Sequence, residues 1–216
     1  MMEISSKEFG ERFRREITDR TMELSEDFLE LPLDALTESE ILKEVPIVKT
    51  FLALFKAGVA YRERAFIKKI LKFLVAYNSG NVDHDRLLEF KSAFQLDNKY
   101  RDKVLDFLLI EIDRIGTEEK SQVLAKLFVS YLNGFISWEY FVHLSICLEQ
   151  LHPISYSYLN RLSRKDFVIK KRYPMHEGLL IAAGLGMRNE EVFEVYQLGR
   201  DLYRFGLAEL VLGFEL

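Results

Sequence analysis

Residues 41–77 read ILKEVPIVKTFLALFKAGVAYRERAFIKKILKFLVAY, and no other stretch of the chain is as densely apolar over a similar length. Its apolar residues recur at spacings of three and four, which is the periodicity of a helix with one buried face. Pro46 suits the first turn of a helix, where its missing N–H costs no hydrogen bond. Gly58 is a weak helix former, so the pattern predicts one long helix, or two helices with a break near residues 58–62.

The charges of this stretch are asymmetric. Residues 41–75 carry eight Lys and Arg against two Glu, whereas residues 1–40 carry five cations against twelve Asp and Glu. Charge runs are usually solvated or paired faces, so one interpretation is an acidic arm lying along a basic helix. The other is a basic amphipathic helix that meets a membrane surface or an acidic partner. The candidate residues of this basic face are Lys49, Lys56, Arg62, Arg64, Lys68, Lys69 and Lys72.

The composition is typical of a folded, mostly helical protein. Apolar residues make up 49% and charged residues 30% of the chain, and four prolines and eleven glycines are too few for a turn-rich sandwich or barrel. We therefore expect an all-α fold built as a multi-helix bundle. Lys49 and Lys56 interrupt the apolar run, so a membrane-spanning helix, which needs about 20 mainly apolar residues, is not predicted.

Two further features bear on the cellular compartment. The single cysteine, Cys147, has apolar neighbours and is predicted to be a buried structural thiol. The amino terminus has no apolar region of the kind found in signal peptides, so a cytoplasmic location is expected.

Helix starts can be placed by their capping residues. Asp83 or His84, Asp97, Thr117 and Ser137 each stand just before an apolar periodic segment. The connections are short, which predicts antiparallel neighbouring helices. The helix after Asp97 has apolar residues on nearly all sides, so we expect it to be central and buried.

From these signals we divide the chain into three parts. They are an N-terminal amphipathic helix and linker (residues 1–36), a helical bundle (residues 37–163) and a small C-terminal subdomain packed on the bundle (residues 164–216).

The C-terminal part mixes short β-prone pieces, residues 167–169 and 192–196, with short helical ones. Residues 179–185 read LLIAAGL, a polar gap follows, and residues 194–202 read EVYQLGRDL. This order is similar to the end of many winged-helix domains, where a helix closes on Gly-Leu, a β-hairpin wing follows and the chain returns into a helix. The resemblance implies a small winged-helix-like β-hairpin near the C-terminus.

A winged helix that binds DNA needs a basic recognition helix and wing, but residues 151–216 hold nine Lys and Arg against eight Asp and Glu. We weigh DNA contact by the tail against a role in packing or dimerisation. The candidate nucleic-acid contacts are Lys165, Lys170, Lys171 and Arg172.

The sequence has no recognisable catalytic, cofactor or metal signature. Residues 132–141 place a glycine and a hydrophobic residue as in a calcium-binding loop, but Val129, Tyr131 and Tyr140 stand where oxygen ligands are needed. The four histidines are dispersed and have no partner at metal-ligand spacing. Motifs of nucleotide-binding loops and serine hydrolases are absent. We therefore predict a non-enzymatic protein without a cofactor or metal.

A group of aromatic residues leaves two interpretations open. Aromatic side chains are favoured at protein interfaces, but core packing also accounts for them. The residues are Trp138, Tyr140, Phe141, Tyr156 and Tyr158.

Residues 41–48 (ILKEVPIV) and 62–74 (RERAFIKKILKFL) together resemble a set of uncharacterised bacterial proteins of similar length. These proteins share an opening motif, L-L-K-[DE]-[IV]-P-[IV]-[VI], and a closing motif, R-[DE]-R-x-[FY]-x-K-K-x-x-x-F-L. No activity is assigned to that family. The resemblance implies a bacterial or mobile-element origin, with defence or stress response as the suggested setting.

We therefore expect a non-enzymatic regulatory protein that acts by binding a macromolecule, with a protein as the first expectation for that partner. One alternative is a membrane-surface protein that uses the basic stretch at residues 46–77. A second alternative is a DNA-binding regulator that uses the C-terminal tail. Self-association into a homo-oligomer is compatible with each.

Overall fold

The computed structural model describes residues 6–20 and 61–211. Over these residues the fold is all-α, with a small three-stranded sheet towards the C-terminus. This confirms the predicted fold class. The chain divides into two compact units, residues 1–122 and residues 123–216. None of the described helices is both long and apolar enough to cross a membrane.

The described part of the N-terminal unit consists of helices, and short turns join those within residues 61–122. The carboxylates of Asp83 and Asp97 each accept hydrogen bonds of 2.9 to 3.1 Å from two backbone N–H groups, so the two predicted caps are confirmed. The helices are α1 (Ser6–Asp19), α2 (Tyr61–Ser79), α3 (His84–Leu96), α4 (Asn98–Arg114) and the beginning of α5 (Glu118–Leu132).

The described end of the 41–77 stretch is α2, and it lies in the core of this unit. Phe73 is fully buried, and its ring lies 6.3 Å from the ring of Phe13 in α1. The Tyr77 hydroxyl donates a 2.6 Å hydrogen bond to the carbonyl oxygen of Ile17. The apolar face of α1 thus packs against α2. Pro46, Gly58 and residues 58–60 of the break predicted near residues 58–62 lie outside the described residues, while Tyr61 and Arg62 belong to α2.

Helix α4 differs from the prediction of a central, buried helix. It buries one face, through Val104, Leu108 and Ile112, while Ile110 is exposed and Leu105 is only half-buried. The sequence prediction failed because apolar residues on several sides of a helix do not show how many of those sides are covered.

The C-terminal unit begins inside α5 and ends in short helices. Ser137 caps the next helix as predicted, because its hydroxyl accepts a 3.2 Å hydrogen bond from the Tyr140 N–H. The further elements are α6 (Trp138–Gln150), α7 (Ser155–Ser163), β1 (Val168–Ile169), α8 (Pro174–Ala182), β2 (Gly186–Arg188), β3 (Phe193–Val195), α9 (Gln197–Leu202), a π-helical turn (Tyr203–Leu207) and α10 (Ala208–Val211).

The sheet is antiparallel, with β3 between β1 and β2. Glu194 of β3 stands opposite Val168 on one side and Met187 on the other, and all three are exposed. Ile169 and Phe193 point to the opposite face and are buried. One face of the sheet therefore belongs to the core and the other to solvent. The β-prone pieces became β1 and β3, and the predicted hairpin is β2–β3.

Two glycines explain the Gly-Leu and Leu-Gly patterns of the tail. Gly184 has a φ of +71° just after α8, in the left-handed region that glycine adopts without strain. At Gly199 a Cβ atom would lie 2.5 Å from Val195 Cγ1 and 2.7 Å from the Leu185 carbonyl oxygen. Glycine there allows α9 to approach the hairpin closely.

The boundary between the two units falls inside α5 and not in a linker, and the division into residues 1–36, 37–163 and 164–216 stays a prediction. The tail packs with the helices before it: the Tyr140 hydroxyl donates to Asp201 and the Tyr203 hydroxyl donates to Asn160, both at 2.7 Å. Such contacts produce no change of composition that a sequence would show.

The aromatic residues around α6 and α7 are explained largely by packing. Phe141 is fully buried and Tyr158 is 4% exposed, while the ring of Trp138 lies 5.4 Å from that of Phe141. Cys147 is buried as predicted, and burial raises the pKa of its thiol. A raised pKa disfavours the reactive thiolate.

Candidate binding surfaces of the C-terminal unit

A buried ion pair links α8 to the sheet. The Arg188 Nε and Nη2 atoms donate to the two carboxylate oxygens of Glu177, at 2.6 and 2.7 Å. Glu177 also accepts a 2.8 Å hydrogen bond from the backbone N–H of Tyr173, and Arg188 donates a 3.3 Å hydrogen bond to the carbonyl oxygen of Lys171. The pair therefore holds the connection between β1 and α8 in place through hydrogen bonds to the backbone of Lys171 and Tyr173.

Electrostatics keep this pair charged. The hydrogen bonds from Arg188 hold the pKa of Glu177 below its usual value, against the opposing effect of burial. The same hydrogen bonds raise the pKa of Arg188. A paired carboxylate with a lowered pKa is a poor general acid or base at neutral pH, so the pair is suited to holding structure.

An aromatic group lies beside the ion pair. The Tyr158 ring packs 5.4 Å from the Tyr173 ring and 5.0 Å from the imidazole of His176. Burial raises the pKa of Tyr158 to about 12, which keeps its hydroxyl neutral. Within the described part of the chain, the Tyr158 and Tyr173 hydroxyls and His176 Nδ1 have no hydrogen-bond partner.

The cations of residues 161–172 form the first candidate surface, which we call the cationic segment. Its six cationic side chains are exposed, and two of them lie over the same aromatic ring: the Arg161 guanidinium is 5.0 Å and the Lys171 ammonium 5.4 Å from the centre of Tyr173. Asp166 is the only acidic residue within it. The six cations are Arg161, Arg164, Lys165, Lys170, Lys171 and Arg172.

A tight turn shapes the middle of the cationic segment. Asp166 and Phe167 have φ values of +50° and +62°, and the Val168 N–H donates a 3.1 Å hydrogen bond to the carbonyl oxygen of Lys165. Two successive left-handed residues thus form a tight turn, which joins the end of α7 to β1. Arg200 covers the ring of Phe167 at 5.7 Å. The turn places Lys165 and β1 close together.

The exposed side of α8 forms the second candidate surface, which we call the α8 face. Met175 is 58% and Ile181 47% exposed. Gly178 and Ala182 are exposed as well. No charged or hydrogen-bonding side chain is exposed on this helix.

The tip of the hairpin is acidic. Asn189 accepts hydrogen bonds from the N–H groups of Glu191 (3.1 Å) and Val192 (2.8 Å), which closes the loop between β2 and β3. Glu190 and Glu191 at the tip are both exposed. A hairpin tip of this charge repels phosphate groups.

The two predicted sets of cations differ in their exposure to solvent. Of the basic face, Lys49 and Lys56 lie outside the described residues, and Arg62 lies in α2 with a side chain that the structure does not describe. Arg64 is exposed and Lys68 half-buried. Lys69 and Lys72, in contrast, are buried.

The burial of Lys69 and Lys72 corrects their assignment to an exposed basic face. Lys69 Nζ donates to the carbonyl oxygens of Asp113 (2.5 Å) and Ile115 (2.9 Å) at the end of α4. Burial lowers the pKa of Lys72, while Glu118 and Glu119 oppose that shift. Both side chains cover apolar surface with their stems while their ammonium groups find polar neighbours.

The predicted tail cluster, by contrast, is exposed. Lys165 lies in the turn before β1, and Lys170, Lys171 and Arg172 follow β1 directly. Sequence reasoning missed Arg161 and Arg164, although their spacing of three residues was a usable signal. It also missed the α8 face. An apolar helix is interpreted as part of the core when the sequence does not show which of its sides other elements cover.

The described residues contain no group of three or more His, Cys, Asp or Glu side chains that could hold a metal ion. Comparisons with known protein families, with curated proteins and with solved structures find no match to this chain.

Proposed function

We propose that this chain is a non-enzymatic binding protein whose C-terminal unit docks a protein partner on the α8 face. The observation that supports this is an exposed helix side made of Met175, Gly178, Ile181 and Ala182. Exposed apolar patches mark interaction sites, and methionine adapts its shape to a partner.

The details of the α8 face favour a partner helix. A Cβ atom added at Gly178 would meet nothing within 4 Å, so the centre of the surface is open. Gly178 and Ala182 are four residues apart and lie on one side of α8, where small side chains let another backbone approach closely. Met175 and Ile181 flank this shallow centre and would supply the buried apolar contacts.

The α8 face is poorly suited to reading DNA sequence. Base recognition in the major groove requires hydrogen-bonding side chains on the inserted helix. Among the exposed residues of α8 there are none. An apolar side chain contacts at most the methyl group of thymine, so a protein surface is the better complement.

The test combines affinity purification with a matched pair of double variants. The tagged wild type is compared with Met175→Gln/Ile181→Gln, which makes the α8 face polar without adding charge. The control is Leu88→Gln/Leu96→Gln, which makes the same kind of change at two exposed leucines of α3. Proteins retained from native cells are quantified by mass spectrometry.

A partner found in this way is then purified and titrated against all three proteins by calorimetry. We expect the α8 variant to lose at least about tenfold in affinity, since one apolar anchor contributes roughly 1–3 kcal/mol. The α3 control should bind as the wild type does. Equal binding by the α8 variant would disprove the proposal, and a wild type that instead forms homodimers through this face would identify a second copy as the occupant.

A further inference from the structure

We propose that the cationic segment binds the phosphate backbone of nucleic acid without reading its sequence. This inference rests on a different surface from the proposed protein docking. It begins from the charge of residues 161–172, where six exposed cations accompany one acidic residue, Asp166.

These cations have no ion-pair partner in the described part of the chain. By comparison, two cations elsewhere in the same unit have carboxylate partners: Lys126 pairs with Glu209, and Arg200 pairs with Glu194 at 3.1 Å. No carboxylate of residues 6–20 or 61–211 comes within 4.0 Å of the six cations of the cationic segment. Like charges held together repel, and a polyanion would relieve that repulsion.

The cations are held on an ordered backbone. The turn at Asp166 and Phe167, the pairing of β1 with β3, and the Glu177–Arg188 pair fix the path of the chain from Lys165 to Tyr173. Binding to an ordered surface loses less conformational entropy than binding to a loose loop. The cationic segment is therefore pre-organised to bind an extended ligand.

The chemistry of the cationic segment favours phosphates over an acidic protein. Val168 is its only exposed apolar residue, whereas protein interfaces are anchored by buried apolar and aromatic side chains. Half or more of protein–DNA hydrogen bonds go to phosphate and sugar groups. Arg161, Arg164 and Arg172 carry guanidinium groups, which bind phosphate oxygens in pairs.

Sequence readout is not expected from this surface. The neighbouring helix α8 exposes no hydrogen-bonding side chain, and the tip of the β2–β3 hairpin carries Glu190 and Glu191. Helix α8 therefore offers no hydrogen bonds to base edges, and the hairpin tip repels phosphate groups. Two duplexes of unrelated sequence should therefore bind with equal affinity.

The experiment is a fluorescence anisotropy titration of a labelled DNA duplex of about 20 base pairs between about 50 and 200 mM NaCl. The variant Lys170→Gln/Lys171→Gln/Arg172→Gln removes three candidate phosphate contacts. The matched control, Arg86→Gln/Lys99→Gln/Lys103→Gln, removes three exposed cations from the N-terminal unit and changes net charge equally. Circular dichroism verifies that each variant is folded.

We expect the variant to lower the slope of log K against log salt by about 2–3, since each phosphate contact contributes about 0.9. The control should change the slope by less than about 1. If the triple variant is unfolded, Arg164→Gln/Lys165→Gln replaces it, with an expected loss of about 2 in the slope.

Three results would overturn the inference. The first is no binding by the wild type at the lowest salt, and the second is an equal loss in the control. The third is displacement of DNA by poly-L-glutamate as effectively as by unlabelled DNA, which would assign the surface to acidic proteins. The variant Met175→Gln/Ile181→Gln should keep its DNA affinity, so this inference and the proposed docking on the α8 face fail independently.

Discussion

Glu177 helps to fix the backbone at the end of the cationic segment, through its hydrogen bonds with the Tyr173 N–H and with Arg188. Its pKa is lowered by the hydrogen bonds from Arg188. A carboxyl with a depressed folded-state pKa stabilises the fold above its unfolded pKa, about 4.3, and this contribution is lost as pH falls through the folded value. Glutamine at this position has no charge to titrate.

We therefore expect Glu177→Gln to have a lower urea midpoint than the wild type at about pH 7, and the difference to shrink at about pH 3. The measurement is urea unfolding followed by Trp138 fluorescence, since Trp138 lies in the same unit. Glu190→Gln makes the same change at an exposed position of the hairpin tip and should match the wild type at both pH values. A constant difference across pH would contradict this account of the ion pair.

At the scale of elements, the end of α4 depends on a lysine from α2. Lys69 donates to the Asp113 and Ile115 carbonyl oxygens at the end of α4, where a cation is favoured. Replacing Lys69 by methionine keeps the apolar stem and removes both hydrogen bonds. We expect Lys69→Met to lower the free energy of unfolding by about 1.5–3 kcal/mol.

The control for this prediction is Lys68→Met, at the half-buried neighbouring position. Urea unfolding followed by circular dichroism measures both variants, and the control should remain within about 0.5 kcal/mol of the wild type. Equal stability of Lys69→Met and the wild type would show that the two hydrogen bonds contribute nothing net. Binding to anionic vesicles, measured in parallel, should be the same for folded Lys69→Met and the wild type, because a buried ammonium cannot reach a lipid surface.

At the scale of the whole molecule, α5 connects the two units because the boundary between residues 122 and 123 lies inside it. Ser121 before the boundary and Leu124 after it are both fully buried. Unfolding of either unit should therefore unwind a helix that the other requires. We expect Trp138 fluorescence and far-UV circular dichroism to give coincident urea transitions, which is the behaviour of one cooperative unit. Two separated midpoints would contradict this expectation.

The sequence by itself determined the helical class and most local boundaries. Asp83, Asp97 and Ser137 cap helices through hydrogen bonds to backbone groups two or three residues away. Capping therefore depends on residues that are close in the sequence. The β-prone pieces became β1 and β3, and the hairpin was expected from the winged-helix resemblance of the tail. Periodicity likewise identified α2, whose apolar side is continuous along the chain.

Only the tertiary structure decided which sides of these elements are covered. It buried Lys69, exposed Met175 and Ile181, and left one side of α4 uncovered. It also joined Glu177 to Arg188, eleven residues apart, and brought Arg161 and Lys171 to one ring. Burial depends on what packs against a residue from distant parts of the chain, and a linear pattern of apolar and charged residues does not contain that information.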